Sequence, residues 1–321
     1  MSEPAPVSGP APVSGPGPVP EIVCLGEAMI ELAPDAGDPG TARLSVAGDV
    51  YNTAVYLARS APRRRVGFAT KIGTDALSDR MLATFAAEGL DTALVRREPG
   101  TLPGIYAITT DGAGERSFAY WRGRSAARRM FRPPGLELTD LSGTRLLYLS
   151  AITLAILPPE DRHALLDWLA VHRRAGGLVA FDSNYRPALW PDAATARAAV
   201  ARAWGQADIG LPGLDDEMAL VGDADEEGVL ARLARLGVVR GALKRGARGP
   251  VPLDGTRAPD LPPAPRVVDT TAAGDSFNAG WLAAHLEGRP AADCLAQGHA
   301  LAVRVIGARG AILPRGGGGE R

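Results

Sequence analysis

The sequence predicts a doubly wound α/β sandwich with a smaller β layer beside it, and three observations predict it. From Arg145 onward, short apolar runs alternate with amphipathic stretches, the rhythm of parallel strands joined by crossover helices. Between residues 94 and 122 that rhythm breaks. Two strand-like runs flank the turn Asp111-Gly112-Ala113-Gly114, a hairpin signature foreign to a parallel sheet. Near the C-terminus, the run Asp269-Thr270-Thr271-Ala272-Ala273-Gly274-Asp275 sets small residues and one carboxylate directly before an amphipathic stretch.

The elements follow in order. Residues 1–20 repeat Ala-Pro-Val-Ser-Gly-Pro and hold no Lys or Arg. They lack the basic start of a signal peptide and are expected to form a disordered, partly polyproline II tail. Residues 21–29 form an apolar run and a first buried strand. Gly48 opens a helix through Arg59, with Asp49 as N-cap. Residues 66–72 predict a strand and 77–88 a helix. Residues 104–109 and 116–121 are the hairpin strands. Strands are then expected at 146–149, 178–182, 209–211 and 238–244, with helices at 162–174, 193–204 and 227–236 between them. Short strands at 251–253 and 266–268 precede a helix from Phe277 to about Leu286. A flexible tail, 316–321, ends the chain.

Bulk properties exclude several classes. A chain of 321 residues suits one α/β unit with a modest addition, and 46% hydrophobic residues can fill its core. A net charge of −1 provides no field for nucleic acid or acidic membranes. No apolar run reaches the ~18 residues of a membrane span. Cys24 and Cys294 are far apart and lack metal or redox spacing, so both read as buried structural residues. Two cysteines imply no disulfide framework, which fits a cytoplasmic location.

The chemistry centres on Asp275. A helix N-terminus preceded by small residues offers bare N–H groups to an anion. Ala272, Ala273 and Gly274 keep side chains away from a transferring phosphoryl group, and their N–H groups with the helix dipole can stabilise its charge. Asp275, in the first turn, can accept the proton of an alcohol as the new bond forms. The same Asp could also be an ordinary carboxylate near a helix start.

The run Asp269–Asp275 resembles the C-terminal signature of the ribokinase-like (PfkB) carbohydrate kinases, whose Asp-Thr-x-Gly-Ala-Gly-Asp ends in the catalytic base. Ala272 stands where the broad family has Gly. With Asp-Thr-Thr-Ala-Ala-Gly-Asp-Ser-Phe, the match is closer to the 2-keto-3-deoxygluconate kinase subfamily. The resemblance covers roughly residues 22–315. It implies a ribokinase-like three-layer sandwich with a β lid built from about 31–46 and 94–122.

Further motifs extend the resemblance. Ala47-Gly48-Asp49-Val50-Tyr51-Asn52 is similar to the Gly-Gly-Asp-x-x-Asn element that grips sugar hydroxyls, and it marks Gly48, Asp49 and Asn52 as substrate residues. Asp49 could otherwise be a helix cap. Leu102-Pro103-Gly104-Ile105-Tyr106 and Phe118-Ala119-Tyr120-Trp121-Arg122 resemble the substrate-facing lid hairpin, which marks Tyr106, Tyr120 and Arg122. The run Asp182-Ser183-Asn184-Tyr185-Arg186 follows a strand, where ligands collect. The resemblance puts Asn184, Tyr185 and Arg186 at the boundary between substrate and nucleotide. Arg186 offers a planar fork to a carboxylate, the mark of a sugar acid over a neutral sugar.

Lys244, Gly246 and Gly249 match a Lys-x-Gly-x-x-Gly turn along the nucleotide. Asn278 and His299 fall where related kinases contact adenine. Where many members carry Asn-x-x-Glu, this chain has Gly213-Leu214-Asp215-Asp216. Asp216 is therefore expected to reach a metal only indirectly, through water.

The reading is an ATP-dependent kinase for the 6-hydroxyl of 2-keto-3-deoxygluconate, with Mg²⁺ arriving on ATP and room for a monovalent cation. A kinase for a neutral sugar such as fructose or ribose, and a sugar-acid sensor without catalysis, are the alternatives. No nucleic acid or membrane partner is expected, and a homo-oligomer is.

Overall fold

The computed structural model describes residues 19–35, 38–110 and 116–315. Six strands form one parallel sheet: β1 (Ile22–Leu25), β4 (Val66–Ile72), β5 (Val95–Arg97), β8 (Leu146–Ser150), β9 (Leu178–Asp182) and β10 (Ile209–Gly210). Their spatial order is β10-β9-β8-β1-β4-β5, and every pairing is parallel. The central strands are buried along their whole length, as a parallel sheet covered on both faces requires. Alternate residues serve opposite layers: Ile22 and Cys24 join one core cluster, Val23 and Leu25 the other.

One layer holds α1 (Asp49–Ser60), α2 (Ala76–Ala87), α8 (Ala273–Leu286) and α9 (Ala291–Ile306), packed around Tyr51, Phe68, Phe85 and Trp281. The opposite layer is built on α3 (Ala151–Ile156), α4 (Pro159–Arg174), α5 (Ala193–Trp204), α6 (Leu214–Val221) and α7 (Glu226–Arg235), around Phe181 and Trp204. A separate four-stranded sheet, in the order β3-β2-β6-β7, joins β2 (Met29–Asp35), β3 (Asp38–Ala47), β6 (Gly104–Thr110) and β7 (Arg116–Trp121). β11 (Ala242–Leu243) and β12 (Val251–Pro252) form a small antiparallel pair.

Several expectations change. The run 21–29 is not one strand. It leaves the parallel sheet at Gly26, where a Cβ would come within 2.7 Å of Val50 Cβ, and re-enters as β2 of the small sheet. Residues 95–97 pair with β4 in the large sheet, so the second lid segment starts at Gly104 rather than 94. The strand expected at 238–244 shrinks to Ala242–Leu243; just before it, Gly241 meets Gly210 only through an isolated parallel bridge. The strand expected at 251–253 ends at Pro252. Residues 266–268 form no strand; the Val268 and Asp269 N–H groups instead donate to Ile306 O at the end of α9.

Helices α3, α6 and α9 were not anticipated. α8 starts four residues before Phe277. Of the tail expected at 1–20, residues 1–18 lie outside the described range, whereas Val19 packs on the core and Pro20 is buried. The tail at 316–321 and the turn at 111–114 also lie outside it. Cys24 and Cys294 are buried free thiols, and burial raises the pKa of both. Among the described residues no helix is long and apolar enough to cross a membrane.

Candidate active site

The carboxyl ends of β8, β9 and β11 converge beneath the start of α8, the place where open α/β sheets bind ligands. Ser150 ends β8, Asp182 ends β9, and Lys244 follows β11. Ala272 caps α8 in the left-handed region, with φ 60° and ψ 17°. That conformation swings the first turn of the helix over the strand ends. The Ala273 N–H is held by Thr270 O at 3.2 Å, so the anion-facing donors are those of its neighbours, Gly274 among them. A Cβ on Gly274 would lie 3.6 Å from Lys244 Nζ, which places the ammonium beside the turn.

Asp275 sits in that first turn. Its Oδ2 accepts from Asn52 Nδ2 at 2.8 Å, and its carbonyl accepts from Thr53 Oγ1 at 3.2 Å. Both partners lie on α1, which Gly48 precedes as its N-cap. A Cβ on Gly48 would lie 2.5 Å from the Glu27 carbonyl oxygen, so only glycine allows this approach. Asp49 Oδ2 accepts from Ser150 Oγ at 2.5 Å and Asn184 Nδ2 at 3.0 Å. Asp182 Oδ2 accepts from Lys244 Nζ at 2.8 Å and Asn278 Nδ2 at 2.6 Å. Lys244 also donates to Asn278 Oδ1 at 3.1 Å.

Three carboxylates thus share a partly buried site with one ammonium. Burial raises the Asp275 carboxyl to about 8, and the charges of Asp49 and Asp182 push the same way. The Asn52 hydrogen bond and Lys244 pull it back. Such a group can exchange a proton near neutral pH.

The small sheet covers this region. Tyr106, Met29 and Ala47 form an apolar cluster with Ala311, and Ala272 packs against it. Tyr106 and Tyr120 are cross-strand partners with ring centroids 5.7 Å apart. Tyr106 donates to Glu31, which also accepts from Ser45 Oγ at 2.7 Å.

The two candidate arginines already have carboxylate partners. Arg186 Nη1 donates to Asp216 Oδ1 at 3.0 Å and to Tyr185 O at 2.8 Å, with over half its side chain exposed. Arg122 is buried and paired with Glu27.

Asp275, Gly274, Asn52, Asp49, Asn184, Asn278 and Lys244 are therefore brought together as the sequence suggested, with two changes of role. Asn278 is fully buried, tied to Asp182, Lys244 and Tyr148, so it offers no face to adenine. The Tyr185 ring belongs to the main core, which leaves only its carbonyl near the site. Gly246 and Gly249, at φ 58° and 74°, shape the turn after Lys244. His299 is half-buried on α9 and bonds to Pro262 O at 2.7 Å. Sequence reasoning passed over Asp182, Ser150 and Glu27. Asp182 had a signal, as the last residue of a strand leading into Asn184.

No group of three or more metal-ligating side chains occurs among the described residues. Asp216 stands alone beside Arg186, and burial raises its carboxyl pKa while Arg186 lowers it.

A doubly wound parallel sheet with a tight turn of small residues and a half-buried carboxylate at a helix start is the arrangement of a phosphotransferase acting on a hydroxyl. The family profile described as pfkB family carbohydrate kinase matches residues 19–315, and the chain belongs to that family. It is 41% identical over 304 residues to the 2-dehydro-3-deoxygluconokinase of Escherichia coli (strain K12), covering 92% of this chain and 97% of that protein. The crystal structure of a PfkB protein from Polaromonas sp. JS666 superposes with a TM-score of 0.77 at 28% identity, covering 89% of this chain and 95% of that one. A fructokinase with bound ATP from Xylella fastidiosa shares the fold, with a TM-score of 0.75 at 22% identity, covering 90% and 93%.

Proposed function

We propose that the protein transfers the terminal phosphoryl group of ATP to the 6-hydroxyl of 2-keto-3-deoxygluconate, giving 2-keto-3-deoxy-6-phosphogluconate and ADP. The observation that carries this reading is Asp275, half-buried in the first turn of α8 and held by Asn52, with its carboxyl raised to about 8. The similarity to the Escherichia coli enzyme supports the choice of acceptor.

Asp275 takes the proton of the 6-hydroxyl as its oxygen bonds to phosphorus and the bond to ADP breaks. Asn52 holds the carboxylate in place. Gly274 and the dipole of α8 face the charge that develops on the transferring group. Lys244, beside Gly274, adds a cation there. Asp49 and Asn184 are available to the sugar hydroxyls. A magnesium ion carried on the ATP phosphates would offset their charge, with Asp216 holding it through water. The small sheet acts as a lid that excludes water from the reacting groups. Its edge strand β7 exposes Phe118, Tyr120 and Trp121, which supports pairing with a second copy of the chain.

Arg186, leaving Asp216 when the substrate binds, is assigned to the acceptor's carboxylate as one of two cations, with Arg122 as the other. Measuring ADP release against 2-keto-3-deoxygluconate, its galactonate-derived epimer, fructose and ribose tests this. The sugar acids should turn over and the neutral sugars lag. Arg186→Ala should raise KM for the acid at least tenfold, the scale of a lost charge-assisted hydrogen bond. Faster turnover of fructose, or an unchanged KM for the acid in Arg186→Ala, would overturn the assignment.

A further inference from the structure

Glu27 is almost fully buried between the two sheets, at the step where the chain leaves β1 for β2. The step in phosphoryl transfer described above has no use for it. Its carboxylate accepts from Arg122 Nη2 and from Ser125 Oγ. A Cβ on Gly104 would lie 2.8 Å from Glu27 Oε1, so glycine there keeps room for the carboxylate. Glu27 thereby touches the hydroxyl-binding start of α1 through its backbone and the small sheet through its side chain.

Arg122 is the residue this arrangement serves. It lies two residues beyond Tyr120 on the continuation of β7, on the face shared by Tyr106 and Tyr120. That face packs toward Ala272 and the anion-facing turn. The guanidinium is held at Nη2, yet its Nε is buried and meets no partner among the described residues. A buried charged donor left without an acceptor is costly, and a bound oxyanion would relieve it. Glu27 cannot be there to strengthen attraction, since its negative charge weakens the pull of Arg122 on an anion. What it supplies is orientation.

We infer that Glu27 is a positioning residue for acid recognition: it holds one edge of the Arg122 guanidinium so that Nε is kept for the carboxylate of the acceptor. The inference rests on the sugar-acid reading above. A neutral sugar leaves Nε unpaired, so the pair Glu27–Arg122 discriminates against it.

The test compares Glu27→Gln, Arg122→Ala and the double variant by ADP release, with 2-keto-3-deoxygluconate and with fructose. Glu27→Gln should raise KM for the acid about tenfold with kcat and the KM for ATP within about threefold, the pattern of lost binding rather than lost chemistry. Turnover of fructose, where measurable, should not fall. In the Arg122→Ala background, Glu27→Gln should add little, because the two act as one unit. Glu27→Asp should not rescue the acid KM, because the shorter arm keeps the charge and loses the reach.

Equal losses for acid and fructose, an additive double variant, or rescue by Glu27→Asp would overturn the inference. If Glu27→Gln does not fold, Ser125→Ala supplies the same reading. It removes one support of the Glu27 carboxylate and should raise the acid KM severalfold while sparing kcat; an unchanged acid KM would overturn it. A wild type that shows no preference for the acid would instead remove the sugar-acid reading, and that result is seen without any variant.

Discussion

Asp275 titrates near neutral pH because it is buried and because Asp49 and Asp182 sit close by. A base must be unprotonated to act, so kcat/KM for the sugar acid should rise with pH through an acidic limb near 8 and level off above it. Asp49→Asn removes a like charge and should move that limb to lower pH, even as it weakens binding. Initial rates across pH 5.5–9.5 (roughly the span where the limb is expected to move) check both; a limb at an ordinary carboxylate pH would contradict the account. Ala272 shows how a residue-level departure is accommodated. Ala272 adopts the left-handed geometry that glycine favours, at φ 60°, although alanine pays a steric cost there. Asp275, Asp49, Asn52 and Lys244 were legible because each stands in a short motif. Glu27 was not, since its Arg122 partner lies 95 residues away and only topology unites them; Asp182 ends a readable strand, but its pairing with Lys244, 62 residues on, needs the fold. Asn278 and Tyr185 were misread for a related reason: a motif gives a residue's place, but not whether its side chain points to solvent or core.

At the scale of elements, the start of α8 is aimed by its packing on α9. Gly280 and Gly298 let the two helices meet closely. A Cβ on Gly298 would lie 2.9 Å from Phe277 O, and one on Gly280 would lie 2.8 Å from Gln297 O. Gly298→Val should therefore push α9 off α8 two residues beyond Asp275. Overpacking of this kind costs about 1–3 kcal/mol. The expected result is a lower Tm together with a reduced kcat; an unchanged Tm and kcat would show that the close approach does not matter. Long elements with a clear period, such as α4, α5 and β4, were readable from the sequence. Two-residue strands such as β10 and β11 were not placed to the residue, because glycine crossings rather than apolar pattern set their ends. α9 escaped notice because it follows the α8 motif without a polar cap, entering through Pro290.

At the scale of the molecule, the two sheets divide the work. The parallel sheet brings Ser150 and Asp182 to one edge, Lys244 joins them from the end of β11, and the start of α8 meets the same point. The small sheet adds Tyr106, Tyr120 and Arg122 from the other side. The doubly wound class was evident from the alternation after Arg145. The crossing of the chain between sheets at Gly26 was hidden, because one continuous apolar run feeds both. The central claim is that Asp275 is the base of a sugar-acid kinase, and it is tested most directly by single-turnover phosphorylation of 2-keto-3-deoxygluconate by wild type and Asp275→Asn. The variant should react at least ~100-fold more slowly, the usual contribution of a general base, with the affinity for the acid little changed. Turnover by Asp275→Asn at a rate close to wild type would contradict it.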